Sequence, residues 1–357
     1  MKITRVLKLA FSPKRMNLPN SLILLVTGRC NASCSFCFFK DSLNKNLKEL
    51  TLEEYNKLSK SLNRIFRMHV SGGEPFLRED LPEICEIFSK NNQVDELAIP
   101  TNGLMPAQIK EMTKEIIEKC PDTHIMISLS LDGLLELHNK LRGRPEAFDN
   151  VMASYHQLME LKQIYPDLRV HVTTTISKYN YHQLPELIEV VKKKMPGLNS
   201  HNFEFVRDKP DKLCQDLPTI SQCQNFEKIH RQLVKETKNH FNSWIKSKLA
   251  NLVKNYKFHL LVEILRQKKQ LITCDAGKTI GVIDWNGNVY LCELLPKVGN
   301  IRDGEFSQIW HSEKAKQQRK YISEKRCFCT HSCFQGANIL FRPKNYFKII
   351  LHWFKYG

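Results

Sequence analysis

Apolar runs alternate with amphipathic stretches along the first half of the chain. The run Ser21–Thr27 (SLILLVT) is short, contains Ile and Val, and ends at Gly28. These features are typical of a fully buried strand. Thr51 then precedes an amphipathic stretch, and Glu54 follows three residues later. This spacing predicts a helix that begins with a capping box.

The same alternation continues to about residue 210. Because each predicted strand is followed by a helical stretch, the pattern favours parallel strands joined by helical crossovers. The sequence therefore predicts an α/β fold with a parallel sheet, closed or half-closed on itself. Further strands are predicted at 66–70, 96–100, 124–131, 169–176 and 201–206, and further helices at 81–90, 106–119, 146–164 and 182–194.

After Pro210 the pattern changes. Residues 225–270 are amphipathic and helical, with eleven Lys or Arg against three Glu. Two strands follow at 279–284 and 289–291, and Asn286-Gly287 between them predicts a hairpin, since a tight turn requires positive φ. We divide the chain into a basic N-terminal segment (1–20), a core barrel (21–210), a basic helical insert (211–270), a small α+β extension (271–335) and a basic aromatic tail (336–357).

Composition narrows the class of protein. The chain has 357 residues, 42% of them hydrophobic, as in soluble globular proteins, but its formal net charge is +17. That charge indicates an anionic partner: a phosphate-bearing substrate, an acidic peptide, a membrane surface or nucleic acid. Nucleic acid is disfavoured, because no RNA-binding module accompanies the charge. The sequence shows no transmembrane run and no secretory signal, which predicts a cytoplasmic protein.

The chain has twelve cysteines, too many to leave unexplained. Eight of them fall into two groups, at 30–37 and 274–333, and such clustering indicates metal sites rather than disulfides. The four scattered cysteines are interpreted as buried, inert thiols. They are Cys85, Cys120, Cys214 and Cys223.

The first group directly follows the first predicted strand. Cys30, Cys34 and Cys37 form a C-x3-C-x2-C pattern, and no fourth cysteine follows nearby. Three thiolates can hold three irons of a [4Fe-4S] cluster and leave the fourth iron open for a ligand. A structural zinc site is the alternative, but zinc knuckles favour C-x2-C pairs with a second pair downstream.

This motif, with aromatic Phe36 before the third cysteine, resembles the radical S-adenosylmethionine (SAM) superfamily. The resemblance implies a partial (β/α)6 barrel whose open iron binds the amino and carboxylate groups of SAM. Reductive cleavage then gives methionine and a 5′-deoxyadenosyl radical, which abstracts a hydrogen atom from an unactivated carbon. A reducing partner such as flavodoxin or ferredoxin is also expected.

Other segments carry the same resemblance. Gly72-Gly73-Glu74-Pro75 matches the family's GGEP motif, which binds the SAM amino group, and Asn102 lies in a TNG segment. Ser128, Ser130 and Asp132 alternate along the fourth predicted strand, so they are expected on one face. The resemblance implies that these positions and Arg142 contact SAM. The expected cofactor-binding residues are Phe36, Gly72, Gly73, Glu74, Pro75, Asn102, Ser128, Ser130, Asp132 and Arg142.

The second cysteine group resembles the SPASM and twitch extensions of radical SAM enzymes, through its C-x12-G-x4-C spacing. The resemblance implies one auxiliary [4Fe-4S] cluster, suited to electron transfer if cysteine fills all its sites. Five cysteines are present for four positions, and we favour Cys327 as the spare one. The candidates are Cys274, Cys292, Cys327, Cys329 and Cys333. A structural zinc site is the alternative.

The substrate is left open by the sequence. An anionic sugar, nucleotide-sugar or lipid-linked small molecule suits the basic charge. A ribosomal peptide is the alternative, although only 29 residues precede Cys30, too few for a leader-binding domain. A non-catalytic iron–sulfur electron carrier or sensor is a further alternative, but it has no use for the GGEP segment.

The basic and aromatic tail has two interpretations. Aromatics interleaved with Lys and Arg suit the surface of an anionic membrane, with the protein peripheral on its inner face. We favour the other interpretation, in which the aromatics cap the core and the lysines are solvated. The aromatic residues concerned are Phe341, Tyr346, Phe347, Trp353, Phe354 and Tyr356.

Overall fold

The computed structural model describes residues 17–45, 48–207, 215–236 and 244–356. The predicted N-terminal segment lies largely outside these residues, as does Cys214. Nine strands form a single sheet in the order β6-β5-β4-β3-β2-β1-β7-β8-β9. They are β1 Ser21–Thr27, β2 Arg67–Gly72, β3 Glu96–Thr101, β4 His124–Ser130, β5 Arg169–Ile176, β6 Ser200–Phe205, β7 Ile280–Ile283, β8 Asn288–Tyr290 and β9 Gly299–Asn300.

Twelve helices accompany this sheet within the described residues. They are α1 Leu52–Lys60, α2 Leu81–Asn92, α3 Pro106–Lys119, α4 Leu135–Arg142, α5 Ala147–Ile164, α6 Leu184–Lys194, α7 Ile220–Glu236, α8 Trp244–Gln267, α9 Phe306–Trp310, α10 Glu313–Ser323, α11 Ser332–Leu340 and α12 Pro343–Tyr356. None of the helices in the described part of the chain could span a membrane.

Strands β1 to β6 are parallel and neighbour one another in chain order. No pairing between β1 and β6 closes the sheet in the described residues, so it is a partial barrel with the predicted six β/α units. The strand β1 has the predicted bounds and all seven of its residues are buried. The predicted capping box of α1 is also present, because Thr51 accepts from the Glu54 amide while the Glu54 carboxylate accepts from the Thr51 amide.

Successive side chains of each strand point to opposite faces of the sheet. One face packs against the helices and forms the main apolar core, which includes Leu24, Val70, Ile99 and Leu129. The opposite, concave face carries mostly polar, half-buried residues on β2, β4 and β5, whereas Ile23 and Leu25 of β1 are buried and apolar there. Met126 also lies on this concave face, outside the main apolar core.

The C-terminal extension continues the barrel sheet instead of forming a separate layer. Strand β7 pairs in parallel with β1, and the predicted hairpin follows, since β7 and β8 are antiparallel and Gly287 has φ 81°. A second apolar cluster joins this region to β1, where Ile23 and Leu25 pack with Trp285 and Phe334. The two cysteine groups therefore belong to one packed unit.

The predicted tail is helical, and its proposed start at residue 336 falls inside α11. Phe341 is buried, as expected of an aromatic that caps the core. Phe347 and Phe354 are instead 65% and 76% exposed, so the expectation that the tail aromatics cover the core is wrong for these two. The side chain of Tyr356 lies outside the described residues.

Candidate functional site

Three cysteines lie in the loop that follows the carboxyl end of β1. The pKa of the Cys30 thiol is raised to about 11, mainly by burial, and the nearby charges of Glu74, Cys34 and Cys37 act in the same direction. This mutual influence means that the three thiols converge. Since thiolates bind iron and thiols do not, loading this site must release protons. Three converging sulfurs fit a [4Fe-4S] cluster that keeps one iron free of protein.

The cysteine loop is held in place by its own backbone and by Asn44. The Asn44 amide accepts from the Cys30 N–H at 2.9 Å and donates to the Cys30 carbonyl at 3.1 Å. Asn44 itself has φ 58°, a conformation that Asn tolerates better than most residues. Asn44 was not predicted from the sequence, because an asparagine far along a loop carries no motif.

Gly72 and Gly73 let the end of β2 approach the cysteine loop. The Gly73 N–H donates to the Thr27 carbonyl and the Glu74 N–H to the Arg29 carbonyl, both at 2.8 Å. A Cβ atom on Gly73 would stand 2.1 Å from the Arg29 carbonyl oxygen, closer than any contact allows. The glycines of the predicted GGEP segment are therefore required by this packing, whatever ligand they bind.

Glu74 is less available than the sequence analysis expected. Its side chain is buried and accepts from the Thr101 hydroxyl at 2.8 Å, the Asn102 amide at 2.7 Å and the Phe76 amide at 3.3 Å. Burial raises its pKa to about 7, against the lowering effect of these donors. Glu74 thus joins the ends of β2 and β3. Pro75, also buried, begins a short 3₁₀ turn behind it.

Asn102 connects β3 to the cysteine loop. The side-chain amide nitrogen of Asn102 donates to the side-chain oxygen of Asn31 at 2.7 Å and lies 4.0 Å from the Cys30 sulfur. The structure therefore brings Asn102 to the first cysteine group.

Arg142 and Asp132 form a buried ion pair beside the cluster loop. Arg142 also donates to the Cys34 sulfur at 3.5 Å, and its guanidinium lies 5.9 Å from the centre of the Phe36 ring. Asp132 is fully buried and accepts from the Thr175 amide at 2.7 Å. The two residues are thus engaged with the protein, and Arg142 contacts a candidate iron ligand.

Ser128 and Ser130 lie on the concave face of β4, as their alternation predicted. Ser128 shares a hydrogen bond of 2.7 Å with Thr173 on β5, and Ser130 is opposite the same threonine in register. Asp132 lies beyond the end of the strand and does not continue this face, because it turns inward to Arg142.

The second cysteine group also converges. Burial is the main cause of the raised pKa at each of Cys274, Cys292 and Cys327. The charge of Cys329 raises the pKa of Cys274 and Cys292, and the charge of Cys274 raises that of Cys327. Cys333 lies at the edge of the group, with its sulfur 3.9 Å from His69 on β2. Such a soft thiolate set fits an iron–sulfur cluster.

A buried ionic network adjoins the second cysteine group. Glu293, directly after Cys292, accepts from Arg207 at 3.0 Å and pairs with His331 at 3.1 Å. Burial alone would raise the pKa of Glu293, but His331 and Arg207 lower it to about 2. The carboxylate is therefore charged and satisfied. These three residues were not predicted from the sequence, because they are distant from one another in the chain.

Comparisons with known proteins agree with this geometry. Residues 24–191 match the family model "Radical SAM superfamily", and residues 274–334 match the SPASM model, "Iron-sulfur cluster-binding domain". The chain is 24% identical over 299 residues to the Fe-coproporphyrin III synthase of Methanosarcina barkeri, covering 80% of this chain and 72% of that protein. It is 28% identical over 177 residues to the PqqA peptide cyclase of Bradyrhizobium diazoefficiens, covering 48% and 43%.

Two solved structures share the fold. The anSMEcpe structure with bound AdoMet superposes with a TM-score of 0.60 at 18% identity, covering 94% of this chain and 98% of that chain. SuiB of Streptococcus suis bound to S-adenosylmethionine superposes with a TM-score of 0.59 at 15% identity, covering 85% and 68%. At sequence identities of 18% and 15%, the similarity to these two structures establishes the fold only.

A partial barrel with three cysteines after β1 and a cysteine-rich extension defines an iron–sulfur enzyme of the SAM-dependent class. The chain belongs to the radical SAM superfamily and carries a C-terminal SPASM domain. Its cofactors are a [4Fe-4S] cluster, SAM and an auxiliary iron–sulfur centre in the SPASM domain. Five described cysteines in that domain are too few for two clusters of four thiolates each.

Replacement of Cys30, Cys34 and Cys37 by Ala is expected to leave about four iron atoms per chain, from about eight in the wild type, because one cluster loses all its protein ligands. Cleavage of SAM should stop. Iron analysis and chromatographic assay of 5′-deoxyadenosine on anaerobically reconstituted protein measure both. Cleavage that persists in this variant would contradict the assignment.

The Gly73→Ala variant is expected to fold but to lose most of the iron of the first site, because its Cβ atom would displace the Arg29 carbonyl beside Cys30. Gly304→Ala is the matched control, since its nearest neighbour would lie 3.6 Å from the new Cβ. Iron content and 5′-deoxyadenosine formation should fall at least about tenfold in the first variant only. Equal iron in both variants would show that the close approach is not needed.

Replacement of Cys274 and Cys292 by Ala is expected to remove the other cluster, leaving about four iron atoms per chain. SAM cleavage should continue without turnover of substrate, because the first site is intact. Electron paramagnetic resonance of the reduced protein distinguishes the surviving cluster. The variants Cys327→Ser and Cys333→Ser are then compared. The fourth ligand is the cysteine whose replacement also removes the second cluster while SAM cleavage continues.

Proposed function

We propose that this radical SAM enzyme acts on an anionic small molecule bound against the concave face of the barrel. When bound, SAM and the clusters supply a 5′-deoxyadenosyl radical for hydrogen abstraction and a path for electron transfer. The residues of the chain supply the binding site, orient the cofactors and exclude water. We assign the SAM-binding cluster to Cys30, Cys34 and Cys37, and the auxiliary cluster to the second cysteine group.

The polarity of the concave face carries this proposal. Alternate residues of β2, β4, β5 and β6 present hydroxyl, imidazole and amide groups towards the interior, and all are half-buried. Such a face cannot serve as an apolar core, and it offers hydrogen bonds to a polar ligand. The residues are His69, Ser128, Ser130, His171, Thr173 and Asn202.

Positive charge exceeds negative charge at the end of this face where the strands begin, opposite the cysteine loop, while Glu204 of β6 lies towards the other end. Glu96 is buried and pairs with Arg67 at 2.6 Å and with Arg169 at 3.5 Å, so two guanidinium groups share one carboxylate. Helix α8 adds Lys254, whose pKa is lowered by burial. The pKa of His171 is lowered mainly by burial and also by the charge of Lys254. An anionic ligand would find complementary charge here.

Near the cysteine loop, the chain has residues that orient rather than react. Arg142 donates to the Cys34 sulfur and pairs with Asp132. We propose that Arg142 is a positioning residue for the first cluster, since both of its contacts are with the protein. Gly72 and Gly73 offer backbone groups at the same edge of the sheet, where SAM binds in our assignment.

A peptide substrate is the second candidate. Its support is the similarity to the PqqA peptide cyclase and a fold shared with SuiB, one structure of which is bound to its precursor peptide SuiA. Other relatives are named GTP 3′,8-cyclases, and GTP is an anion. The excess positive charge at Arg67, Arg169 and Lys254 favours the anionic small molecule as the substrate.

Arg169→Gln tests the proposal. Metabolite extract separated into anionic small-molecule and peptide fractions is added to the reduced enzyme with SAM, and 5′-deoxyadenosine is measured. We expect the anionic fraction to stimulate its formation, and the variant to need about tenfold more of that fraction, because a charged hydrogen bond is lost. Arg64→Gln, an exposed arginine paired with Asp95, is the control and should behave as wild type.

Two results would contradict the proposal. Stimulation by the peptide fraction alone would favour the second candidate. If Arg169→Gln needs no more of the anionic fraction than the wild type does, the charge of Arg169 does not face the substrate. Thermal unfolding of each variant checks that Arg67 alone still holds the buried Glu96.

A further inference from the structure

Helix α12 is attached to the protein by one face only. On this face Asn345, Ile349 and His352 are between 5% and 8% exposed. Asn345 donates to the Asn338 carbonyl at 2.8 Å, and Ile349 belongs to an apolar cluster with residues of α8 and α11. The ring of His352 lies 4.7 Å from that of His259 on α8. These contacts fix the orientation of α12.

A second face of α12 is apolar and exposed. Phe347, Ile350, Leu351 and Phe354 are 65%, 48%, 53% and 76% exposed. Their spacing of three, four and seven residues places them on one side of a helix. Single exposed apolar residues are ordinary on protein surfaces, but a continuous stripe marks a site of interaction.

Trp353 gives the apolar stripe an aromatic border on the side of α8. The ammonium group of Lys248 lies 5.2 Å from the centre of the ring of Trp353, which is half-buried. Leu249, the next residue on α8, is 50% exposed. Amphipathic aromatic rings such as tryptophan favour the boundary between water and lipid.

Basic residues form the third face of α12. Lys344 and Lys348 are exposed and lie one turn apart, beside the apolar stripe. No Asp or Glu occurs after Glu324 in the sequence, so no acidic side chain of this helix opposes them. The helix thus presents lysines alongside apolar residues, as helices that lie on anionic membranes do.

We propose that α12 docks the enzyme on the surface of an anionic lipid bilayer. The stripe of Phe347, Ile350, Leu351 and Phe354 enters the boundary between headgroups and acyl chains, while Lys344 and Lys348 meet lipid phosphates. A helix of 14 residues is about 21 Å long, too short to cross a bilayer, so it lies in the plane of the surface.

Charge favours lipid over a second copy of the chain. In a symmetric pair the same patch would face itself, which brings the lysines of both copies together without acidic partners on the helix. Phospholipid headgroups supply the negative charge that this patch lacks, and acyl chains accept the apolar stripe. This inference concerns the location of the enzyme and does not depend on its substrate.

The test is co-sedimentation of the full chain with vesicles of phosphatidylcholine, alone or mixed with phosphatidylglycerol. The wild type should bind the mixed vesicles and bind less as salt is raised. The triple variant Phe347→Gln, Leu351→Gln, Phe354→Gln should bind at least about tenfold more weakly. Lys344→Gln with Lys348→Gln should lose about fivefold per lysine on mixed vesicles only.

Ile164→Gln is the matched control, because Ile164 is 71% exposed but lies on α5, away from α12. It should bind as wild type does. Iron content and SAM cleavage should be unchanged in every variant, which separates docking from folding. Equal binding of the triple variant, or a wild-type dimer in analytical ultracentrifugation that this variant abolishes, would overturn the proposal.

Discussion

The structure depends on one close approach of two backbone segments. The loop with the first cysteine group leaves β1, and the chain at Gly72-Gly73 leaves β2 directly against it. Two amide–carbonyl hydrogen bonds of 2.8 Å join them, and neither glycine position has space for a side chain. Because parallel strands end at the same edge, this contact places the thiols, Asn102 and Arg142 together. The requirement for glycine is thus steric before it concerns any ligand.

A second constraint joins the auxiliary region to the barrel. Strand β7 pairs with β1, and the concave-side residues Ile23 and Leu25 pack with Trp285 and Phe334. The two cysteine groups are therefore attached to the same strand through rigid sheet and packed side chains. The charged network of Glu293, Arg207 and His331 is buried beside the second group. The second group borders the polar concave face at His69 of β2, which lies 3.9 Å from the Cys333 sulfur.

The sequence was informative where one physical rule governs a segment. The bounds of β1, the capping box of Thr51 and the turn at Gly287 follow from local hydrophobic pattern and backbone conformation, and all were predicted. The cysteine groups were predicted from spacing, because the ligands of each loop are close in the chain.

The features that could not be predicted depend on contacts between segments that are distant in the chain. Nothing in the local sequence indicates that Asp132 turns inward to Arg142, or that Glu74 is occupied by donors from β3. Helix α4, missed in the sequence analysis, is short and ends at Gly143 with φ 65°. The exposure of Phe347 and Phe354 was missed for a similar reason: periodicity shows that α12 is amphipathic but not which face the core covers.

The central claim is that the cluster held by Cys30, Cys34 and Cys37 has an iron free to bind SAM. Electron–nuclear double resonance on the reduced, reconstituted enzyme with ¹⁵N-labelled SAM tests it most directly. The account predicts a nitrogen coupling from the SAM amino group to one cluster, lost when the three cysteines are replaced. The absence of any such coupling, with SAM bound, would contradict it.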